Sequence, residues 1–342
     1  MIGLEIFWYI VIVACITCYA MLDGFDLGVG ALHLFAKKDI DRRIFLNAIG
    51  PVWDGNEVWL VVLVGALFAG FPFAYATLFS ALYLPLYGLV CGLIFRAVAI
   101  EFRSKVAHQS WRRVWDVLFF IASVIIALGV GIALGNLIHG LPLDENHDYQ
   151  GGIILSFFHP YAILVGVLTL SAFMMHGAIY LVMKTEGELQ AKLTRWITPT
   201  IVFFIMAYAV TTLVTLIYQE HMVVRMRERP YLFVIVLLNI LAIASIPHQT
   251  LKGRHGWAFL SSCANIGLLL VLFAVGTFPD LVRSNMNPET NGLNIYNSSA
   301  SPTTLTVLTI IVAIGIPLVI AYGFYIYKIF HGKVKIDEHM SY

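Results

Sequence analysis

Residues 6–30 read IFWYIVIVACITCYAMLDGFDLGVG, an apolar stretch that passes directly into two aspartates. A helix needs about 20 mostly apolar residues to cross the hydrocarbon layer of a membrane. Only a helix or a closed barrel satisfies its backbone groups there, and the alternation of a barrel strand is absent. The stretch therefore predicts a membrane-spanning helix. Because no basic segment precedes it, as a cleaved signal peptide would require, we expect it to be retained.

The rest of the chain has the same character. Of its 342 residues, 60% are hydrophobic and 12% are charged, and the mean hydropathy is +0.84, which together indicate an integral membrane protein. The 21 Lys and Arg residues nearly balance the 20 Asp and Glu residues, so the sequence offers no basic field for a nucleic acid. The four cysteines lack the spacing of a zinc site or a disulfide framework.

Hydropathy predicts an all-α integral membrane protein with about nine transmembrane helices and a single membrane domain over residues 1–342. The polar connections at 139–152 and 279–302 are predicted to be extracytoplasmic loops. The predicted spans are 4–34, 48–70, 73–100, 117–138, 153–183, 196–218, 231–248, 257–278 and 305–327.

The basic residues predict the orientation. One set of connections carries 16 Lys and Arg residues and the other carries four, while Arg96 lies inside a span. Because basic residues concentrate in cytoplasmic connections, the N-terminus is predicted outside and the C-terminus in the cytoplasm. The cluster at 225–229 would then face outward, against the trend.

Charged residues inside the membrane are confined to the first three predicted spans. Such groups normally face a bundle interior, a partner or water. At about 1.5 Å of rise per residue, Asp26, Asp54 and Arg96 each lie roughly 9 to 12 Å inside their spans. Helical spacing puts Asp23 with Asp26, and Asp54 with Glu57, on common faces. The set that shares this layer or its rim is Asp23, Asp26, Asp54, Glu57, Arg96 and Glu101.

Two roles for this acidic layer stay open. Its carboxyl groups are suited to exchanging protons along an uptake path, with Arg96 as their charge partner. Alternatively, the same groups pair with Arg96 and backbone amides and only set the helix register. Asp54 is the strongest single candidate for proton handling, because Trp53, Asn56 and Trp59 surround it in the sequence. Separately, the small residues Gly24 and Gly28 predict a close approach of two helices.

Histidines and methionines of the apolar segments are the residue types that could ligate a haem. A haem would need ligands on facing helices, and the sequence does not supply that pairing. Hydrogen-bonded or interfacial histidines and packing methionines are the favoured interpretation, so we expect no metal and no cofactor bound directly by this chain. The candidates are His159, His176, His248, Met21, Met174 and Met175.

Several motifs together resemble subunit II of the cytochrome bd quinol oxidases. The specific ones are DGFDLGVG at 23–30, GPVWDGNEVWL at 50–60, and FRSK at 102–105 followed by WR at 111–112. Shorter matches are GNL at 135–137, HGA at 176–178, KT at 184–185 and the run at 298–304. The likeness covers essentially the whole chain.

The resemblance implies a bacterial plasma-membrane complex that oxidises quinol and reduces oxygen to water. Subunit I of such complexes holds the quinol site, two haems b and one haem d. Subunit II binds no haem, has two four-helix bundles plus one peripheral helix, and supports assembly and a cytoplasmic proton route. A small single-helix accessory subunit, membrane lipids and quinone are further partners that this context suggests.

The family's proposed proton route matches Asp26, Asp54 and Glu101 here, and Tyr342 resembles a family feature near its entrance. Glu101 replaces the Asp of other members, and the connection at 219–230 is shorter than in some of them. Two alternatives remain beside the oxidase role. They are a proton-coupled secondary transporter, which the uncharged last six spans disfavour, and a scaffold in which the acidic layer is only structural.

Overall fold

The computed structural model describes residues 3–152 and 155–334. In this part of the chain the fold is helical, apart from two very short strands. The strands are β1 (Asp280–Val282) and β2 (Leu293–Asn294). The helices are α1 (Leu4–Leu32), α2 (Asp39–Ile49), α3 (Trp53–Gly70), α4 (Pro72–Ala81), α5 (Tyr83–Phe102), α6 (Gln109–His139), α7 (Pro160–Lys184), α8 (Gly187–Tyr218), α9 (His221–Glu228), α10 (Phe233–Leu251), α11 (His255–Thr277), α12 (Pro288–Asn291) and α13 (Pro302–Ile329).

Eight of the described helical segments are long and apolar enough to cross a membrane, and a ninth results if α2 and α3 count as one bent span. This confirms the prediction of an all-α membrane protein with about nine spans. The two helices of the bent pair meet at an angle of 51°. Pro51 lies in the break between them and has no amide hydrogen to continue the first helix, so the chain restarts at Trp53.

The predicted boundaries were wrong at four spans. The predicted span 73–100 is divided at Leu82 into α4 and α5, because Pro85 cannot donate to the carbonyl one turn earlier. Helices α6 and α8 begin at Gln109 and Gly187, well before 117 and 196, since charged residues end a hydropathy window without ending a helix. Helix α7 begins only at Pro160, and part of the predicted start at 153 lies outside the described residues.

Helix α1 occupies the centre of the bundle. It packs against four long helices, α3, α6, α7 and α11. Further contacts join α5 to α6, α6 to α7, α7 to α8 and α10 to α11, so these helices form one continuous bundle. Helix α13 stays at the periphery, with only 6% of its most apolar window buried. Helix α13 therefore corresponds to the peripheral helix of the predicted architecture.

Helices α1 and α7 approach each other closely. A Cβ atom on Gly28 would lie 1.8 Å from the carbonyl oxygen of Phe173, and one on Gly177 would lie 2.5 Å from the carbonyl carbon of Gly28. A Cβ on Gly24 would lie 2.8 Å from the Phe173 ring. The predicted small-residue contact is therefore confirmed, and it brings the backbone of α1 against α7 close to both buried aspartates of α1.

The two ends of the bundle differ. At the end we call the loop end, residues 139–152 and 278–302 contact one another, for example through the bridge between Leu141 and Ser284. At the opposite, basic end, the end of α7 lies close to the residues that follow α13. Here the Val334 amide donates to the Lys184 carbonyl at 2.9 Å, and Lys192 pairs with Asp41 at 3.1 Å.

Candidate functional site

An ion-paired triad lies between α1, α3 and α5. Arg96 Nη1 is 2.6 Å from Asp23 Oδ1, and both side chains are completely buried. Arg96 Nη2 is 2.9 Å from Glu57 Oε2, whose side chain is 21% exposed. One guanidinium thus serves two carboxylates on two other helices, and its planar array of donors suits such a double contact. The triad ties the three helices together at one level.

Asp26 lies one helical turn from Asp23, yet it has a different environment. Its side chain is completely buried and its Oδ2 accepts a hydrogen bond of 2.8 Å from Asn56 Nδ2. Its Oδ1 has no hydrogen-bond partner among the described residues, and no Lys, Arg or His there is within ion-pair distance. An unpaired carboxylate is costly in such surroundings, whereas proton exchange with water relieves that cost. Asp26 is therefore the buried carboxyl whose proton is least constrained by the fold.

Asn56 connects this carboxyl to the peripheral helix α13. Its Nδ2 also donates to the Leu22 carbonyl at 3.2 Å, and its Oδ1 accepts 2.8 Å from the Tyr327 hydroxyl. The sequence suggested that Asn56 supports Asp54, but its amide contacts Asp26 instead. The reason is helical geometry, since residues two apart on a helix project in different directions.

Asp54 and Glu101 stand apart from these contacts. Within residues 3–152 and 155–334 neither side chain makes a hydrogen bond or an ion pair. Asp54 is exposed, and it begins a stripe on α3 that continues through the exposed Val58, Val61 and Phe68. Helix α3 begins at Trp53, so Asp54 belongs to its first turn and directly follows the break between α2 and α3. Glu101 is half-buried near the end of α5.

The remaining site candidate, Tyr342, lies outside the described residues. The last described segment, at 330–334, is held against the end of α7. Lys184 Nζ donates to the Phe330 carbonyl at 2.7 Å, and Lys333 donates to the Thr185 carbonyl. The chain is thus anchored at the basic end shortly before its final residues.

A second polar cluster at the basic end was missed by the sequence interpretation. Asp116 is almost fully buried and accepts from His33 Nε2 at 2.6 Å, from Arg103 Nε at 2.5 Å and from Arg42 at 3.0 Å. Asp39 joins the same cluster through Arg103 at 2.6 Å. Asp116 falls one residue before the predicted fourth span, so it was counted with a polar connection. Its burial depends on the longer helix α6, which hydropathy does not reveal.

Comparison with known proteins identifies the family. A family model described as cytochrome bd terminal oxidase subunit II matches residues 4–330. The chain belongs to this family. A cytochrome bd ubiquinol oxidase subunit 2 from Bacillus subtilis is 31% identical, and the alignment covers 100% of both chains. A cytochrome bd-I ubiquinol oxidase subunit 2 from Escherichia coli is 29% identical, over 98% of this chain and 96% of that one.

The fold agrees with this assignment. A chain of the bd oxidase structure from Geobacillus thermodenitrificans superposes with a TM-score of 0.78 at 16% identity, and the match covers 96% of this chain and 98% of that one. The predicted family is therefore confirmed, and the chain is a subunit of a quinol oxidase of the bacterial membrane. Because the chain is a subunit II, its family membership implies a complex with subunit I.

The histidines considered as haem ligands have other contacts in this subunit II. Both ring nitrogens of the buried His176 are engaged, by Ser262 Oγ at 2.6 Å and by the Met21 carbonyl at 2.9 Å. His159 accepts from the Ala162 amide and so caps α7, while His248 is exposed near the end of α10. Among the described residues no three His, Cys, Asp or Glu side chains come together as metal ligands do.

The methionines of that set are distributed through the packing. Met175 is completely buried in the core beside α1, and Met174 packs against the edge of the same core. Met21 fills the space beside Gly267, where an added Cβ would lie 2.6 Å from its methyl carbon. Thioether side chains fill irregular gaps of this kind well.

Proposed function

We propose that this subunit stabilises the haem-bearing subunit I and delivers protons from the cytoplasm for the reduction of oxygen to water. In this proposal Asp26, Asp54 and Glu101 exchange protons, and the Arg96 triad with Asp23 and Glu57 holds their helices in place. The haems are two of type b and one of type d in subunit I, which also oxidises the quinol. The N-terminus lies outside and the C-terminus, with Tyr342 at the entrance, lies in the cytoplasm.

The observation that carries the proposal is the contrast between the two buried aspartates of α1. Asp23 is bound by Arg96 at 2.6 Å, whereas Asp26 is equally buried but has one amide donor and no counter-ion among the described residues. Because the ion pair with Arg96 stabilises the charged form of Asp23, this residue is suited to a structural role. A carboxyl without a counter-ion is suited to taking up and releasing a proton, which general acid–base chemistry requires.

Asp54 and Glu101 support the proposal as carboxyls without described partners. Asp54 is exposed on this subunit at the end of an apolar stripe, which is a surface that membrane or another subunit covers in the complex. A carboxylate at the edge of such a covered surface is suited to passing protons between two polypeptides. Lipids, quinone and a small single-helix subunit complete the surroundings that we propose.

The test is Asp26→Asn in the co-expressed complex, with Glu145→Gln as a matched control. Glu145 is an exposed carboxylate at the loop end without a hydrogen bond among the described residues. We expect Asp26→Asn to retain assembly and haem content and to lower quinol-driven oxygen consumption about tenfold or more, because the amide cannot exchange a proton. The control should retain the rate of the unmodified complex.

Unchanged turnover and unchanged proton uptake in assembled Asp26→Asn would overturn the proton role and leave the scaffold role. Solute uptake by proteoliposomes that contain this chain alone would instead favour the transporter alternative. The scaffold alternative further requires that Asp54→Asn changes assembly and not turnover. We expect the reverse for Asp54→Asn, namely normal assembly with slowed oxygen reduction.

A further inference from the structure

Three side chains form a continuous hydrogen-bonded chain from the peripheral helix to the centre of the bundle. The Tyr327 hydroxyl lies 2.8 Å from Asn56 Oδ1, and Asn56 Nδ2 lies 2.8 Å from Asp26 Oδ2. The chain thus links α13, α3 and α1. Asn56 is 2% exposed and Asp26 is fully buried, so water competes little with these bonds.

The donors and acceptors of Asn56 allow one orientation of its amide. The nitrogen has two hydrogens, and both are used, one by Asp26 and one by the Leu22 carbonyl. The oxygen has no hydrogen and accepts from the Tyr327 hydroxyl. A flipped amide would turn its oxygen toward two other acceptors, which is unfavourable in a buried site. The Leu22 carbonyl and Asp26 therefore select which end of the Asn56 amide meets the carboxyl, and the Tyr327 hydroxyl holds that orientation by bonding to the amide oxygen.

This orientation makes the two oxygens of Asp26 different. Oδ2 is held by the amide donor, whereas Oδ1 is buried without a partner among the described residues. An amide has no ionisable proton to pass on, so Asn56 is not a relay. What it does is direct proton exchange to the oxygen that it leaves free.

We propose that Tyr327 and Asn56 are positioning residues that orient Asp26 so that its Oδ1 takes up and releases the transferred proton. This inference rests on the proposed proton role of Asp26. On uptake a hydronium ion on the cytoplasmic side loses a proton, which forms an O–H bond at Oδ1; on release that bond breaks and a water molecule accepts the proton, while Oδ2 stays hydrogen-bonded to the amide. No electron moves in this step.

The chain also explains what α13 contributes to the site. This helix is mostly exposed, and its opposite end is tied to α1 by the Trp8 indole, which donates to the Leu305 carbonyl and to Thr309, each at 3.2 Å. Tyr327 contacts the acidic site through its hydroxyl group. A structural role in docking the helix would need only the ring packing, whereas positioning of Asp26 needs the hydroxyl.

The experiment is Tyr327→Phe in the intact complex, because this change removes the hydroxyl and keeps the ring. Tyr325→Phe is the matched control, since Tyr325 is on the same helix, is 61% exposed and has no described hydrogen bond. Two quantities are measured: the rate of proton uptake in a single turnover with oxygen, and the carboxyl C=O stretching band in redox-induced infrared difference spectra. The band of Asp26 is the one that Asp26→Asn removes.

We expect Tyr327→Phe to assemble with full haem content, to slow proton uptake by about two- to tenfold, and to move the Asp26 band to higher wavenumber. The band moves because the C=Oδ2 group loses a well-oriented donor when the amide is free to turn. Asn56→Ser, which breaks the same link from the other side, should give a shift in the same direction. Tyr325→Phe should change neither quantity.

The outcomes separate this inference from the proton role itself. If Asp26→Asn blocks proton uptake while Tyr327→Phe moves neither the rate nor the band, the positioning role is wrong and the proton role stands. If assembled Asp26→Asn keeps the unmodified rate, both are wrong. If Tyr327→Phe and Asn56→Ser both fail to assemble, the link is a structural tie, which also overturns the inference.

Discussion

Arg96 on α5 and Asp23 on α1 form a completely buried ion pair with Nη1 and Oδ1 2.6 Å apart. Removing one partner of a buried pair leaves an uncompensated charge, which costs about 3–5 kcal/mol. We therefore expect Arg96→Met to reduce the yield of assembled complex and to lower its midpoint of thermal inactivation. Arg113→Met is the control, because Arg113 is exposed and has no ion pair among the described residues.

The double variant Arg96→Met with Asp23→Asn decides whether charge is the cause. Since it removes both charges of the pair, it should recover part of the lost yield. If the double variant were no better than Arg96→Met, packing rather than charge would explain the loss.

The contact between α1 and α7 gives a second prediction. Gly28→Ala would put a methyl group 1.8 Å from the Phe173 carbonyl oxygen, so the two helices must separate. Overpacking of this kind costs about 1–3 kcal/mol, and we expect a lower thermal midpoint of the complex. Gly129→Ala on α6 is the control, because a Cβ there meets nothing within 4 Å. Equal midpoints for the two variants would show that the α1–α7 contact is not tight.

The third prediction concerns His159 at the loop end, which should make the thermal stability of the complex sensitive to acid. Burial, with a smaller contribution from nearby His139, lowers the pKa of His159 to about 4, below the ordinary value of 6.5. The unfolded chain therefore binds the proton more readily than the folded chain does. The free energy of unfolding is unaffected by this group above about pH 6.5 and decreases as the pH falls from 6.5 toward 4. We expect the thermal midpoint of the complex to fall over this window.

His159→Asn should make that fall smaller, because Asn retains the capping of α7 and does not titrate. The check is a series of thermal inactivation curves at fixed ionic strength between pH 7 and 4.5. A fall of the same size in both proteins would assign the acid sensitivity to other groups, for instance His221, whose pKa burial also lowers to about 4.

The division of cofactors between the subunits gives a fourth prediction. His176, the buried histidine of α7, uses both ring nitrogens within this chain, so it offers no free nitrogen to an iron atom. We expect this chain, expressed without subunit I, to show no haem absorbance, and the co-purified complex to show haem b and haem d. Stoichiometric haem in the purified single chain would contradict this expectation.

Much of the fold was predictable from composition and apolar length. Membrane spans are long and uninterrupted because the bilayer leaves helices few alternatives, so their number and class follow directly from the sequence. Their ends were predicted less well. A hydropathy profile does not reveal the helix breaks at Pro51 and Pro85. It also places the start of a span after the charged residues with which α6 and α8 begin.

The sequence predicted which residues belong to the candidate site, but it did not predict which of them pair with one another. The i, i+3 spacing indicated which carboxyls share a face, but Asp23 with Glu57 binds Arg96, while Asp26 has only an amide. The buried pair of His33 and Asp116, from two distant segments, had no sequence signal at all.

By itself the sequence determined the membrane class, the family and the segregation of charge into the first spans, because hydrophobicity and motif identity are local properties of the chain. Only the tertiary structure decided which acid is neutralised and which stays without a counter-ion. That distinction depends on a guanidinium of α5 and an amide of α3 that reach the aspartates of α1 at 2.6 and 2.8 Å, and on a phenol of α13 that contacts the amide at 2.8 Å. Contacts between distant segments are set by how the helices pack.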